Sequence, residues 1–118
     1  MPILIVQGRR PLAALWAQHL QRKGFEVCTA HSEEDALRAI ETTTFNVVIT
    51  DIVIDGQSVL SVCDMVQLRQ PEARVIFATA STFFSDGSIF NLYPNACAHL
   101  HRDSAPDDIV ALAEHYAA

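Results

Sequence analysis

The amino-acid sequence predicts an α/β protein built on a doubly wound parallel sheet of five strands. Its 118 residues match the size of one domain, and half of them are hydrophobic, which is enough to build a core. Short apolar runs alternate along the chain with segments whose apolar residues recur at helical spacing. The runs are apolar on both faces, which is typical of strands in a parallel sheet covered by helices on both sides.

The first strand and the first helix are marked by residues at their ends. Residues 3–6 (ILIV) form a continuous apolar strand. A helix is predicted over 11–23, because Pro11 suits a first helical turn and Gly24 suits the position after the last turn. The apolar face of this helix holds Leu12, Leu15, Trp16 and Leu20. A second strand is predicted over residues 25–30.

The middle of the chain continues the alternation of helix and strand. Ser32 and Asp35 resemble a capping box, in which side chains bond free N–H groups of the first turn. The residues of this second helix that face inward are Ala36, Leu37 and Ile40. Residues 45–50 form the third strand. A third helical stripe, which Pro71 closes, consists of Val59, Val62, Cys63 and Val66.

The last part of the chain is less regular. Residues 74–79 (RVIFAT) are the fourth strand and residues 96–100 the fifth. Between them, residues 81–93 are ambiguous, since an Asp-Gly pair interrupts what would be a short helix. Ser104 is expected to cap a last helix. The residues of that helix that face inward are Ile109, Leu112, Ala113 and Tyr116.

Charge and composition exclude several classes of protein. The net charge is −6 and the eight Lys and Arg residues are scattered, which argues against nucleic acid as a partner. No signal peptide and no apolar stretch long enough to span a membrane is visible. Three cysteines without CxxC spacing indicate a reducing compartment. We therefore expect a single cytoplasmic domain over residues 1–118, in which Cys97 is the only cysteine with an exposed thiol.

In such a sheet, function is expected at the carboxyl ends of the strands, beside the point where the strand order reverses. The segments that lie there are Gln7 to Arg10, Asp51, Thr79 to Ser81, and His101 to Asp103. Asp51 is the most informative of them. It directly follows the strand residues NVVIT, which places a carboxylate at the mouth of the sheet.

The runs ILIV, FEV, VVITD and VIFAT, the last two ending in Asp51 and Thr79, stand in a characteristic order and spacing. In this the sequence resembles the receiver domain of two-component response regulators, over essentially the whole chain. The resemblance implies a flavodoxin-like, three-layer sandwich and a signalling module rather than an enzyme. It also implies that Asp51 accepts a phosphoryl group, that Thr79 senses it, and that Arg102 contacts it where the family has a lysine.

The departures from the family pattern concern the metal ion. The acidic pair that holds Mg²⁺ in the family falls on Gln7 and Gly8, so both carboxylates of the first loop are missing. The aromatic switch position falls on His99, and a common proline after the phosphoacceptor is replaced by Asp55. Mg²⁺ prefers carboxylate oxygens in octahedral geometry, so Asp51 with Gln7 is a weak site, and no other cofactor is expected.

The resemblance leaves two mechanisms open, both for a stand-alone receiver whose output is contact with another protein. In the first, Asp51 is phosphorylated by a histidine kinase or phosphotransfer protein. Thr79 and Arg102 then grip the phosphate, and the face formed by residues 80–103 shifts. In the second, the chain is a phosphorylation-independent pseudo-receiver that binds another signalling protein. A third alternative, a small α/β enzyme or nucleotide-binding protein, lacks a GxGxxG motif and a P-loop.

Each candidate residue also has a purely structural interpretation. Asp51 can cap a turn, Thr79 can be an ordinary strand residue, and Arg102 can be a solvated surface cation. Arg9 and Arg10 have two interpretations as well. One of them lies over Asp51 as a fixed cation in place of the metal, or both are exposed loop residues.

The segment from Thr82 to Tyr93 is rich in large apolar residues. These are Phe83, Phe84, Ile89, Phe90, Leu92 and Tyr93. If they are exposed, they form a patch for a partner or a second copy, so a homodimer through the 82–103 face is one option. If they pack inward, they fill the core beneath an irregular loop.

Overall fold

The computed structural model describes residues 2–54, 56–79, 96–101 and 104–117. Its strands are β1 (Ile3–Val6), β2 (Val27–Ala30), β3 (Val47–Thr50), β4 (Val53–Ile54), β5 (Gln57–Ser58), β6 (Arg74–Thr79) and β7 (Ala96–His101). Its helices are α1 (Arg10–Arg22), α2 (Glu33–Thr42), α3 (Leu60–Arg69) and α4 (Pro106–Ala117). The ambiguous residues 81–93, the apolar segment 82–93 and Arg102 lie outside the described residues.

The main sheet confirms the predicted architecture. It has five strands in the order β2-β1-β3-β6-β7, and each neighbouring pair is parallel. The strand order reverses between β1 and β3, where Val6 lies in register with both Ala30 and Thr50. The carboxyl ends of three neighbouring strands therefore meet at one place, which is where ligands bind in sheets of this kind.

Helices cover both faces of the sheet and make two separate apolar layers. Because successive strand residues point to opposite faces, Ile3 and Ile5 pack in one layer while Leu4 and Val6 pack in the other. The first layer includes the helical residues Ala13, Trp16, Leu20, Ile109 and Ala113. The second includes Ala36, Ile40, Val62, Cys63 and Val66. Helices α1 and α4 thus share one face of the sheet, and α2 and α3 share the other.

The buried face of α1 differs from the predicted one. The spacing of the apolar residues predicts that Leu15 lies on that face, but it is 40% exposed. The residues buried with Trp16 and Leu20 are instead Ala13 and Ala17. At 3.6 residues per turn, Leu15 points roughly 150° away from the middle of this face. A pattern that counts only large apolar residues leaves out the small alanines. The predicted buried face is therefore rotated about the helix axis relative to the observed one.

The predicted cap of α2 is confirmed, whereas the start of β2 and a short hairpin differ from the prediction. Ser32 caps α2, and its Oγ accepts the N–H of Asp35 at 3.2 Å, as the capping box predicted. Strand β2 begins at Val27 rather than at residue 25. Strands β4 and β5 form a short antiparallel hairpin directly after β3, which the sequence did not predict. No helix in the described part of the chain is long and apolar enough to cross a membrane.

Candidate functional site

Three polar side chains follow the three strand ends that meet at the reversal of strand order. Gln7 follows β1, His31 follows β2, and Asp51 follows β3. The backbone continues the sheet by one residue here, since Asp51 N–H donates to the Val6 carbonyl at 2.9 Å. Sequence reasoning singled out Gln7 and Asp51 but missed His31. The signal was available, because His31 also directly follows a predicted strand.

Asp51 is a buried carboxylate surrounded by N–H donors. The residue as a whole is only 3% exposed. Oδ1 accepts the N–H of Ile52 at 2.7 Å and that of Val53 at 3.4 Å. Oδ2 accepts Nε2 of Gln7 at 3.3 Å. These contacts are not the full set that Asp51 makes. A buried carboxylate must be compensated by donors of this kind, because leaving water is costly for a charge.

Gln7 is held in one orientation by the groups around it. Its Oε1 accepts the N–H of Arg9 at 3.1 Å, while its Nε2 donates to Asp51. A backbone N–H can only donate and an ionised carboxylate can only accept, so both neighbours select the same orientation of the amide. The Gln7 carbonyl lies 3.0 Å from Nδ1 of His31. A carbonyl oxygen only accepts, so Nδ1 is the ring nitrogen that carries the proton there.

The hypothesis that Arg9 or Arg10 lies over Asp51 is wrong. Both arginines are exposed, and within the described ranges neither forms an ion pair with Asp51. Arg9 is the N-cap residue of α1, and Arg10 is the first residue of that helix. The backbone of Arg9, rather than its guanidinium, reaches the site through its hydrogen bond to Gln7. Both side chains are exposed, as the alternative interpretation expected, but they lie at the start of α1 rather than in a loop.

The described residues do not fit a Mg²⁺ ion. Mg²⁺ needs several oxygen ligands at octahedral positions, and carboxylates supply the strongest of them. At this strand end the described residues offer the single carboxylate of Asp51 and the amide of Gln7, whose oxygen already accepts the Arg9 N–H. A Cβ on Gly8 would lie 2.9 Å from Cγ2 of Ile54. No cluster of three or more His, Cys, Asp or Glu suited to a metal occurs in the described part of the chain.

The other predicted site residues belong to β6 and to the segment after β7. The backbone of Thr79 closes β6, the strand next to β3, and pairs with His101 of β7. The side chain of Thr79 lies outside the described part of the chain, as does Arg102. Their roles as phosphate sensor and phosphate contact stay predictions. The same holds for the homodimer face over 82–103.

The solvent exposure of the cysteines contradicts one further prediction. Cys28, on the edge strand β2, is exposed, whereas Cys97 is only partly exposed. Burial raises the pKa of the Cys97 thiol to about 11, and the nearby Arg74 opposes that rise. Burial, aided by the negative charge of Asp64, raises the pKa of the Cys63 thiol to about 12. The expectation that Cys97 has the only exposed thiol is therefore wrong, because an edge strand leaves Cys28 open to solvent.

The fold and the buried aspartate at the reversal of strand order define a class of small signalling modules. Residues 3–114 match the family model of the response regulator receiver domain. The chain belongs to this family, and it is a receiver domain of two-component signalling. Receiver domains are signalling modules that interact with histidine kinases or other signalling proteins.

The chain is also similar to a curated regulatory protein in sequence and to solved response regulators in fold. The chain is 32% identical over 68 residues to the alkaline phosphatase synthesis transcriptional regulatory protein PhoP of Bacillus subtilis. That match covers 58% of this chain and only 28% of PhoP. The response regulator TrrA of Thermotoga maritima, solved in complex with Mg²⁺ and BeF, has a TM-score of 0.83 at 24% identity, covering 98% of this chain and 99% of TrrA.

A second solved structure shows the same fold. A response regulator from Burkholderia pseudomallei, solved with a phosphorylated aspartic acid, calcium and citrate, has a TM-score of 0.82 at 23% identity. The match covers 93% of this chain and 64% of that one.

Proposed function

We propose that this receiver domain passes its signal by contact with another protein and that Asp51 is the phosphoacceptor through which it receives the signal. The observation that carries the proposal is the position of Asp51. It is a buried carboxylate at the carboxyl end of β3, next to the reversal of strand order, and N–H donors surround it. The proposal is supported by the Burkholderia pseudomallei response regulator, which has the same fold and contains a phosphorylated aspartic acid.

The contacts of Asp51 distinguish its two oxygens. Oδ1 accepts two backbone N–H groups and Oδ2 accepts the Gln7 side chain, and we assign Oδ2 as the oxygen that would attack the phosphorus atom. The new O–P bond forms as the bond to the donor's leaving group breaks, and that group departs with the electron pair. The NH₂ of Gln7, which lies beside Oδ2, would then donate to the phosphoryl oxygens. Thr79 and Arg102 are the proposed further contacts.

Electrostatic repulsion opposes phosphoryl transfer more strongly in this pocket than in a pocket that holds a metal ion. A carboxylate and a phosphoryl group repel each other, and one pair of unit charges at ~4 Å is worth about 4 kcal/mol at an effective dielectric constant of about 20. Gln7 contributes a dipole rather than a full charge, and it offsets only part of that repulsion. We therefore expect slow phosphorylation that does not depend on Mg²⁺.

A second candidate function is a pseudo-receiver that binds its partner without phosphorylation. It is favoured by the hydrogen bond between Gln7 and Asp51, which are 2% and 3% exposed. Here Asp51 is a structural acceptor that holds residues 51–53 against the end of β1. The binding face is then set permanently, and the signal depends on whether the partner is present.

Intact-mass measurement after incubation with acetyl phosphate separates the two functions. Phosphorylation predicts an addition of about 80 Da to the wild-type chain and none to Asp51→Asn. Asp64→Asn is the matched control, because Asp64 is an exposed aspartate on α3 and its loss should leave the addition unchanged. The absence of any addition, with either acetyl phosphate or a phosphorylated histidine kinase as donor, would overturn the first function and leave the pseudo-receiver.

A further inference from the structure

We propose that the Gln7 side chain takes the place of the divalent cation in this receiver pocket, so that Asp51 is positioned without a metal ion. The inference concerns the same pocket as the proposed function and rests on that proposal only for the role of Asp51. It assigns Gln7 as a positioning residue that acts through Asp51. Three sets of contacts carry it: those of the amide, those of the neighbouring glycine and those of the Gln7 backbone.

The amide of Gln7 turns its NH₂, and not its oxygen, toward Asp51. Only its oxygen could bind a cation, and that oxygen accepts the Arg9 N–H at 3.1 Å. Turning the amide over would place its oxygen against the Asp51 carboxylate and its NH₂ against the Arg9 N–H, so both hydrogen bonds would be lost together. Because Gln7 is buried, water cannot easily replace those bonds. The amide thus stays turned toward Asp51 as a donor.

Gly8 stands where the family has its second acidic residue, and its surroundings exclude a larger side chain. Gly8 lies so close to Ile54 that a Cβ would come within 2.9 Å of Cγ2 of that side chain. A separation this short requires something to move, so a carboxylate cannot be added at residue 8 while Ile54 stays in place. Ile54 is itself buried in the layer under α2 and α3, which limits how far it can shift. The packing of Gly8 against Ile54 therefore leaves no room for the second carboxylate of an acidic pair.

The backbone of Gln7 connects the pocket to its surroundings. Its carbonyl bonds Nδ1 of His31 at 3.0 Å, and its side chain bonds the backbone of Arg9, the N-cap residue of α1. Gln7 thus links Asp51, the end of β2 and the start of α1. A change at Oδ2 of Asp51, such as phosphorylation, would alter the hydrogen bond that this atom accepts from Gln7, and α1 begins at Arg10, three residues after Gln7.

Thermal unfolding with MgCl₂, against NaCl of equal ionic strength, tests the proposal without a phosphoryl donor. The wild-type melting temperature should be the same in both salts. Gln7→Asp places a second carboxylate beside Asp51, so Mg²⁺ at about ten times its Kd should raise the melting temperature of this variant by about 5 °C. The matched control is Gln18→Asp at an exposed site on α1, which should show no response to Mg²⁺. A rise for the wild type in MgCl₂ over NaCl would overturn the proposal.

A second readout keeps the test decisive if Gln7→Asp does not fold. In ¹H–¹⁵N spectra of the wild type, the Gln7 side-chain amide should be protected from exchange. The chemical shift of this amide should change in Asp51→Asn but should not change on addition of MgCl₂. A saturable shift of this amide with MgCl₂ would overturn the proposal. Failure of phosphorylation alone would not produce this result, so the two proposals can fail separately.

Discussion

At the scale of single residues, the site depends on a charge buried together with its donors. Asp51 accepts from two backbone N–H groups and from the Gln7 amide, and each is positioned by the end of a strand. A hydrogen bond to a charged group contributes about 1.5–3 kcal/mol to stability, and leaving the charge unpaired costs more. Residues 7 and 51 therefore act as one unit, and neither can be replaced without affecting the other.

The thiols provide a prediction at the same scale. Cys28 should react first with an aromatic disulfide reagent at neutral pH, because it is exposed. The native pKa of Cys97 is about 11, so only about one thiol in ten thousand is ionised at pH 7, and its reaction should be slow. Cys63, with a pKa of about 12 and a buried position, should react only as the chain opens.

The pH dependence of these thiols has a definite sign. Both native pKa values lie above the ordinary value of 9.0, so folding favours the neutral thiols. Their contribution to stability is fully present below about pH 9 and is lost as the pH rises towards 11 and 12.

In the thiol assay, Cys28→Ser should remove the fast phase alone. A fast phase that persists in Cys28→Ser would contradict this assignment.

At the scale of elements, a side chain at the end of α3 holds the segment that joins α2 to β3. Gln70, directly after α3, accepts the N–H of Phe45 at 2.7 Å. Its Nε2 donates to the carbonyls of Ile40 at 2.9 Å and Thr43 at 2.7 Å. These bonds satisfy a backbone carbonyl in the last turn of α2 and two backbone groups in the segment between α2 and β3. Hydropathy patterns do not identify Gln70, because its role depends on where the backbone passes.

Helix α1 offers a matched pair of leucine substitutions, one at a buried and one at an exposed position. Leu20→Ala should lower the free energy of unfolding by about 2–5 kcal/mol, because Leu20 is fully buried and its removal leaves a cavity. Leu15→Ala makes the same chemical change at a position 40% exposed, and its cost should be about 1 kcal/mol or less. Urea unfolding measures both. Equal costs at the two positions would mean that the buried face of α1 is not Ala13, Trp16, Ala17 and Leu20.

At the scale of the whole molecule, one sheet separates two apolar layers and joins their stability. Leu4 faces the layer under α2 and α3, while the adjacent Ile5 faces the layer under α1 and α4. Neither layer can lose its strands without exposing the other. The domain is therefore expected to unfold in a single cooperative transition.

A substitution in one apolar layer, followed by a probe in the other, tests that cooperativity. Leu4→Ala should lower the free energy of unfolding by about 2–5 kcal/mol. The fluorescence of Trp16, the chain's single tryptophan, should report the same midpoint as far-UV circular dichroism, although Trp16 lies in the opposite layer. Leu68→Ala, at a position 79% exposed, is the control and should shift neither midpoint appreciably. Separate midpoints for the two probes would show that the layers unfold independently.

Much of the fold could be predicted from the sequence because its signals are local. Strands β1, β3 and β6 are apolar runs that need no partner to be recognised, and Ser32 marks the start of α2. The orientation of α1 was predicted only in part, because its alanines carry little hydropathy yet pack closely. The hairpin of β4 and β5 has only two residues per strand, which is too short to show periodicity.

The sequence by itself determined the alternation of strands and helices and the position of Asp51 at a strand end, since both follow from periodicity and adjacency along the chain. The tertiary structure alone decided what surrounds that carboxylate. Gln7 and Asp51 are 44 residues apart, and they meet only because β1 and β3 pair with Val6 opposite Thr50. The approach of Gly8 to Ile54 and the outward position of Arg9 depend equally on packing between elements. Contacts of this kind are set by strand register, which no single segment encodes.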